Sequence, residues 1–274
     1  MNGLAYYNEI DPFAAQWLRN LIAAGHIAPG VVDTRSIEDV SPNELKKYTQ
    51  CHFFAGIGVW SVALRRSGWP DNRPVWTGSC PCQPFSAAGK SAGFSDERHL
   101  WPAFHWLISQ CRPSTVYGEQ VSGKSAEPWL DLVQADMEAL GYAFGAVAFP
   151  SAGVGAPHIR DRAYWMADTR NAGPQRRLLG RQIPRREAID GRTGRSGAAR
   201  RADSPGPTNG FWGDADWLGC RDKKWRPVEP GTFPLADGIT GRVGRLRAYG
   251  NAINAEQAKV FIEATAPVDR RYRK

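Results

Sequence analysis

The segment of this chain best suited to covalent chemistry is GSCPCQPFSAAGK at 78–90. It follows an apolar stretch that reads as a strand, and a cysteine at a strand end, on a loop of small residues, can be presented to a substrate as a nucleophilic thiolate. Two thiols compete for that role, Cys80 and Cys82. The ordinary fate of a free cysteine is burial as a small hydrophobe, so a Pro-Cys dipeptide says little by itself. Three other residues of catalytic type stand near strand ends. Glu119 closes the apolar run STVYGEQ, and a glutamate there needs a raised pKa to hold a proton near neutral pH. Arg160 and Arg162 are two residues apart, so on an extended backbone they share one face. FAGIG at 54–58 leaves an apolar strand and opens a helix, where backbone N–H groups and the helix N-terminus can receive an anion.

Positioning these residues requires an alternation of strands and helices. Strands are expected at 3–7, at 31–34 (VVDT), in CHFF before the glycine turn, at 74–78 (PVWTG), in STVYGEQ, in YAFGAVAF and at 162–167 (RAYWMA). Helices are expected at 11–24, with Asp11 as N-cap and Pro12 at the first position. Others follow on SPNELKKY, with Ser41 and Glu44 as a capping box, on VWSVALRRSG to Gly68, at 99–111, on PWLDLVQADMEALG to Gly141, and from about Ala255. Residues 79–97 read as loop. The alternation implies a parallel-rich α/β sheet. The texture changes after residue 168: residues 170–210 carry ten arginines among glycines and prolines, with little apolar periodicity, and read as a loop-rich insert. Trp212, Trp217 and Trp225 then supply some core material.

Five blocks of this sequence together resemble the DNA (cytosine-5) methyltransferase family. PCQPFS at 81–86 resembles its catalytic loop, FAGIG its cofactor-binding turn, and YGEQV at 117–121 its Glu-Asn-Val block. HIRDRAYW at 158–165 resembles its basic block, and YGNAIN at 249–254 the block before its final helix. The resemblance implies a doubly wound, Rossmann-like core that binds S-adenosylmethionine (SAM), with a small target-recognition region. It implies that Cys82, the thiol followed by Gln-Pro-Phe-Ser, adds to C6 of a flipped cytosine so that C5 can take the methyl group. Glu119 matches the acid that meets N3, Arg162 the contact to the base carbonyl, and Arg160 a residue that orients the site or a phosphate. Phe54, Ala55, Gly56, Ile57, Gly58, Pro81, Leu100 and Asn251 match cofactor contacts. Gln83, Ser86 and Lys90 on the cysteine loop are candidates for DNA contacts. Two departures stand out: Val59 replaces a further glycine of the turn, and Gln120 replaces the asparagine after the glutamate.

The family's usual order places an acid for the ribose and an Asp for the adenine between the glycine turn and the cysteine loop. Gly58 and Cys82 are only about two dozen residues apart here, too few for two more strands and their helices. The missing blocks resemble segments that come earlier in this chain. YYNEIDPFAAQWLRN at 6–20 would put Glu9 on the ribose and Ile10 against the adenine, and VVDTRSIEDV at 31–40 would put Asp33 and Thr34 at the adenine edge. The expectation is a rearranged, circularly permuted-like order in which the family's second and third strands come first. The other possibility is an unrelated N-terminal extension and a damaged cofactor site.

Composition bounds the rest. The net charge of +8 and pI near 9.4 suit a polyanionic partner, here double-stranded DNA. Arg221, Lys223, Lys224 and Arg226, near the tryptophans, are candidates for contacts to it. No run of about 18 apolar residues suggests a membrane span. Glu9 and Asp11 near the start argue against a signal peptide, so a cytoplasmic protein is expected. Five cysteines make no disulfide framework, and Cys80 and Cys82 are too close for a CxxC metal site, so no metal is expected. The expected organisation is a catalytic core at 1–168, a short recognition region at 169–245 and a C-terminal segment at 246–274 returning to the core. A monomeric, bacterial or phage enzyme is expected, solitary or with a restriction partner. The rival functions are a catalytically weak DNA-binding module, an enzyme acting on RNA cytosine, and transfer of a group other than methyl.

Overall fold

The structure is a computed structural model and describes residues 4–81, 100–123, 126–156, 160–169, 216–219, 225–228 and 252–266. Its strands are β1 (Ala5–Asn8), β2 (Gly30–Asp33), β3 (Gln50–Phe53), β4 (Val75–Gly78), β5 (Thr115–Val121), β6 (Ala143–Pro150) and β7 (Asp161–Asp168). They form one seven-stranded sheet in the order β2-β1-β3-β4-β5-β7-β6. β2 to β5 along that order are mutually parallel, and β7 runs antiparallel to both of its neighbours. Strands β8 (Asp216–Gly219) and β9 (Trp225–Val228) pair antiparallel as a separate ladder. The helices are α1 (Pro12–Ala23), α2 (Pro42–Leu45), α3 (Val59–Arg66), α4 (Trp101–Cys111), α5 (Glu127–Ala139) and α6 (Ala255–Thr265). This is the doubly wound α/β class that the alternation of elements implies.

The helices begin where their caps dictate. The Asp11 carboxylate accepts the N–H groups of Phe13 and Ala14 at 2.9 and 3.0 Å, satisfying donors that the first turn leaves over. Ser41 and Glu44 form the reciprocal capping box of α2. The Asn254 side chain caps α6 by accepting from Glu256 and Gln257.

Parallel register sorts the sheet's residues onto two faces. Tyr7, His52, Thr77 and Tyr117 are successive partners across β1, β3, β4 and β5, and all four are buried. The His52 ring stacks on Tyr7 at 4.9 Å, and its Nδ1 lies 2.8 Å from Thr77 Oγ1. Burial keeps this imidazole neutral, its pKa pushed down to about 3. Helices α1, α3 and α6 cover this face: Leu18 and Ile27 pack near Tyr7, and Trp60, Leu64 and Phe261 near Tyr117. The opposite face carries Tyr6, Cys51, Phe53, Trp76 and Val116, under Phe104 of α4 and Trp129 of α5.

Two glycines on that opposite face stand opposite each other, Gly78 on β4 and Gly118 on β5. A Cβ on Gly78 would run into the Phe104 ring, and one on Gly118 into the Trp165 indole. Both rings therefore lie against bare backbone, which brings α4 and β7 close to the strands that end at the cysteine segment and at Glu119. Trp165 is fully buried and cannot swing away. Gly118→Ala should destabilise the fold by about 1–3 kcal/mol through overpacking. The check is a urea titration, in which the midpoint falls while the slope is unchanged.

The chain order and the sheet order differ at the first three strands. β1 and β2 precede β3 in the chain yet lie beyond it, so β3 is central, flanked by β1 and β4. β1, which leads to Glu9, stands beside the glycine-turn strand, and β2, which ends at Asp33, stands beyond β1.

Candidate active site

The parallel strands end together, and the candidate residues gather at their C-terminal edge, where open α/β sheets bind ligands. The glycine turn leaves β3 there. Gly58 adopts φ +80° as the N-cap of α3, a conformation that an L side chain rarely takes, and Phe54 is itself held at φ +51°. Such strain on a non-glycine residue persists only where surroundings enforce it, and Phe54 packs edge-on against Phe104 at 6.1 Å.

Glu9, one residue past β1, reaches across to this turn. Its Oε2 accepts the Gly56 N–H at 2.7 Å and its Oε1 accepts the Asp11 N–H at 2.9 Å. The Gly58 N–H donates to the Ala55 carbonyl. The sequence expectation that the turn's own N–H groups face an anion is corrected to that extent, since those of Gly56 and Gly58 are engaged within the protein. The first-turn N–H groups of α3 have no intrahelical acceptor and remain suited to a carboxylate. Beside Glu9, Ile10 is 66% exposed, an apolar surface of the kind a flat ring can pack on.

Asp33 lies level with Asn8 at the end of β2, and its carbonyl accepts the Glu9 N–H at 3.0 Å. Its carboxylate is held by Tyr6 Oη at 2.8 Å and by Arg35, which in turn pairs with Glu44. Burial works to raise this carboxyl, but the Arg35 side chain and backbone and the Tyr6 hydroxyl outweigh it and hold it below the usual carboxylate range. Thr34 is exposed next to it. Leu100 is half-buried as the N-cap of α4, and Pro81 is exposed at the end of β4's extension.

On the other side of β3 stands a cluster of charges. Glu119 is buried near the end of β5, and its Oε1 pairs with Arg162 Nε at 2.8 Å. Burial raises the carboxyl pKa, while Arg162, Arg160 and the Ser79 hydroxyl pull it back. Arg160 and Arg162 both lie near this carboxylate, but not by sharing a face of a strand. Arg160 precedes β7 with φ +27°, and its guanidinium donates to the Ala252 carbonyl at 2.6 Å. The period-two expectation fails because the backbone turns at Arg160, where its carbonyl is tied to Ser151. Ser151 is in turn bound to Gln257 of α6 at 2.7 Å, and Gln257 also donates to the Phe149 carbonyl. Gln120 points to the opposite face of the sheet and folds back onto the Val121 N–H.

The competition between the two thiols is decided against one of them. Cys80 is 5% exposed in the core, and burial pushes its thiol pKa up, so it is neither accessible nor readily ionised. Cys82, Gln83, Ser86, Lys90, Arg221, Lys223, Lys224 and Asn251 lie outside the described residues, and Arg226 belongs to β9 without a described side chain. Among the described residues no cluster of His, Cys, Asp or Glu could hold a metal ion, and no helix is long and apolar enough to cross a membrane. Sequence inspection missed Tyr6, Arg35, Ser79, Trp60 and Gln257. Of these only Ser79, three residues before Cys82, had a positional cue.

The Glu119–Arg162 pair has a pH signature. A carboxyl whose folded pKa is raised contributes stability that is full below its unfolded value, about 4.3, and is lost as pH rises through the folded value. Removing Arg162 raises that folded value further. Arg162→Met should therefore lie nearest the wild type at the acid end, close to the unfolded value of about 4.3, and fall further behind as pH rises, by on the order of 2–3 kcal/mol at pH 8. Urea unfolding of both proteins across that range measures it; a deficit that shrinks toward pH 8 would rule the pairing out.

A family model for the C-5 cytosine-specific DNA methylases matches residues 66–186, leaving β1, β2 and β3 outside the match. The type II methyltransferase M.HhaI of Haemophilus parahaemolyticus is 32% identical over 135 residues, 46% of this chain and 41% of that protein. M.NgoMIV of Neisseria gonorrhoeae is 30% identical over 161 residues, 44% of this chain and 52% of that protein. The chain thus spans about half the length of the curated relatives it matches. Among solved structures, a DNMT2 variant of Spodoptera frugiperda overlaps 64% of this chain and 45% of its own, at 18% identity and a TM-score of 0.41. The S. pombe Dnmt2 methyltransferase overlaps 63% and 53%, at 14% identity and a TM-score of 0.37. Overlaps this loose bear on no functional point.

Proposed function

We propose that this chain, which belongs to the C-5 cytosine-specific DNA methylase family, transfers a methyl group from SAM to C5 of cytosine in double-stranded DNA. The observation that carries the proposal is the meeting, at one edge of the sheet, of two half-sites. Glu9, Ile10, Asp33 and the glycine turn form one half; Glu119 with Arg160 and Arg162 forms the other, beside the strand that leads to Pro81 and Cys82.

In this proposal Glu9 takes the ribose hydroxyls, Ile10 packs on the adenine, Asp33 and Thr34 meet its edge, and the first turn of α3 receives the methionine carboxylate. SAM, when bound, supplies the methyl group. Cys82 adds as thiolate to C6 of a cytosine turned out of the duplex, forming the S–C6 bond and making C5 nucleophilic. Glu119 shares its proton with N3 during the addition, and Arg162 holds both the carboxylate and the base carbonyl. Once C5 carries the methyl group, loss of its proton to a base expels the thiolate and restores the ring. The core at 1–168, the recognition region at 169–245 and the returning segment at 246–274 are the corresponding division of labour.

Nucleoside mass spectrometry on DNA from cells expressing the chain tests the chemistry. 5-Methylcytosine should accumulate with the wild type and be absent with Cys82→Ala; modified cytosine in neither sample would sink the proposal. SAM affinity, measured by calorimetry, should be unaffected by Cys82→Ala. Glu9→Ala should weaken it about 10- to 100-fold, the loss of hydrogen bonds to a charged group. An unchanged affinity in Glu9→Ala would overturn the rearranged cofactor site while leaving the cysteine chemistry in place.

A further inference from the structure

We propose that Ser79, oriented by the indole of Trp60, is a positioning residue for the Glu119 carboxyl group. The proposal rests on Glu119 being the acid of the reaction above. Sheet register supplies the first support. Gly78 pairs with Gly118 across the parallel β4–β5 ladder, so the next residues, Ser79 and Glu119, are neighbours on the same face. That face also carries Tyr117, two residues before Glu119, and Trp60 stacks on Tyr117 with ring centroids 6.1 Å apart. Trp60 therefore stands above this pair of strands, and its Nε1 lies 3.0 Å from Ser79 Oγ.

Donor chemistry fixes the direction of the relay. An indole N–H can only donate, so Ser79 Oγ accepts from Trp60, and the single proton of the hydroxyl is left for another acceptor. The Glu119 carboxylate, next to Ser79 across the ladder, is the acceptor this arrangement offers, and the Ser79 hydroxyl favours its charged form. Arg162 pairs with Oε1 of the same group, so the carboxylate is held between β4 and β7. Trp60 lies in the first turn of α3, the helix that opens on the glycine turn. The relay is thus a short physical link between the helix that would meet the cofactor and the acid that would meet the base.

The consequence is that Ser79 opposes the effect of burial, keeping the carboxyl able to release a proton as well as to hold one. The test is a ¹³C NMR titration of the full chain labelled at glutamate carboxyl carbons, without DNA, with Glu119 assigned by its loss in Glu119→Gln. Ser79→Ala should raise the Glu119 pKa by about one pH unit, the worth of one hydrogen bond to a charged group. Trp60→Phe, which keeps a ring but loses the N–H, should shift it the same way by less. Ser79→Thr, which keeps the hydroxyl, should restore the wild-type value. A Glu119 titration unchanged in Ser79→Ala, or shifted as far in Ser79→Thr as in Ser79→Ala, overturns the proposal. Should Ser79→Ala fail to fold, an unchanged titration in Trp60→Phe overturns it equally. The alkaline limb of methyl transfer should move with the NMR value. If the NMR value moves and the rate profile does not, Ser79 positions Glu119 as proposed, and it is Glu119's part in the reaction that falls.

Discussion

A carboxylate and a guanidinium buried against each other lose hydration on both sides, and they stay charged only if geometry repays the loss. The Glu119–Arg162 pair recovers part of that loss by spanning two neighbouring strands, one parallel to the rest of the sheet and one antiparallel to it, and burial still leaves the carboxyl raised. Much of the local architecture follows. β7 must lie between β5 and β6 for Arg162 to face Glu119, and α6 must return to the sheet for Arg160 to find the Ala252 carbonyl. The buried contact between Ser151 and Gln257 then fixes where β7 begins. A single pair at the end of β5 thus depends on residues from the middle and the end of the chain.

The two half-sites are held by different physics. On the Glu9 side, backbone N–H groups of Gly56 and Asp11 hold Glu9, and these cannot move without moving the chain itself, while Asp33 is held by Tyr6 and Arg35. On the Glu119 side charge is satisfied by side chains, which can exchange one partner for another. A rigid cradle suits a molecule that must be held in one pose, and an exchangeable set suits an acid that must change its protonation state.

Much of this was legible before any coordinates. Asp11 with Pro12 and Ser41 with Glu44 announce helix starts because capping is a local hydrogen bond between residues two or three apart. The position of Glu9 and Asp33 at strand ends followed from apolar runs that stop at those acids, and the sheet order made sense of their early place in the chain. What stayed hidden depends on register between strands. Nothing in the sequence says that Ser79 stands next to Glu119, that Arg35 occupies Asp33, or that Cys80 points into the core while the chain runs on to Cys82. Arg160 shows the same limit at the backbone, because a period-two rule assumes an extended chain and a left-handed turn breaks it.

The strand order has a kinetic meaning as well. β3, α3 and β4 are consecutive, so the glycine turn, Trp60 and Ser79 belong to one short crossover unit, and the β1–α1–β2 unit that brings Glu9 and Asp33 is equally local. Closing such short loops costs little entropy, whereas Gln257 must find Phe149 and Ser151 more than a hundred residues away. Loop entropy therefore favours a sequence of assembly in which the Glu9–glycine-turn half forms while the chain is still partly open. The arginine anchorage is then set last, by the arrival of the C-terminal helix.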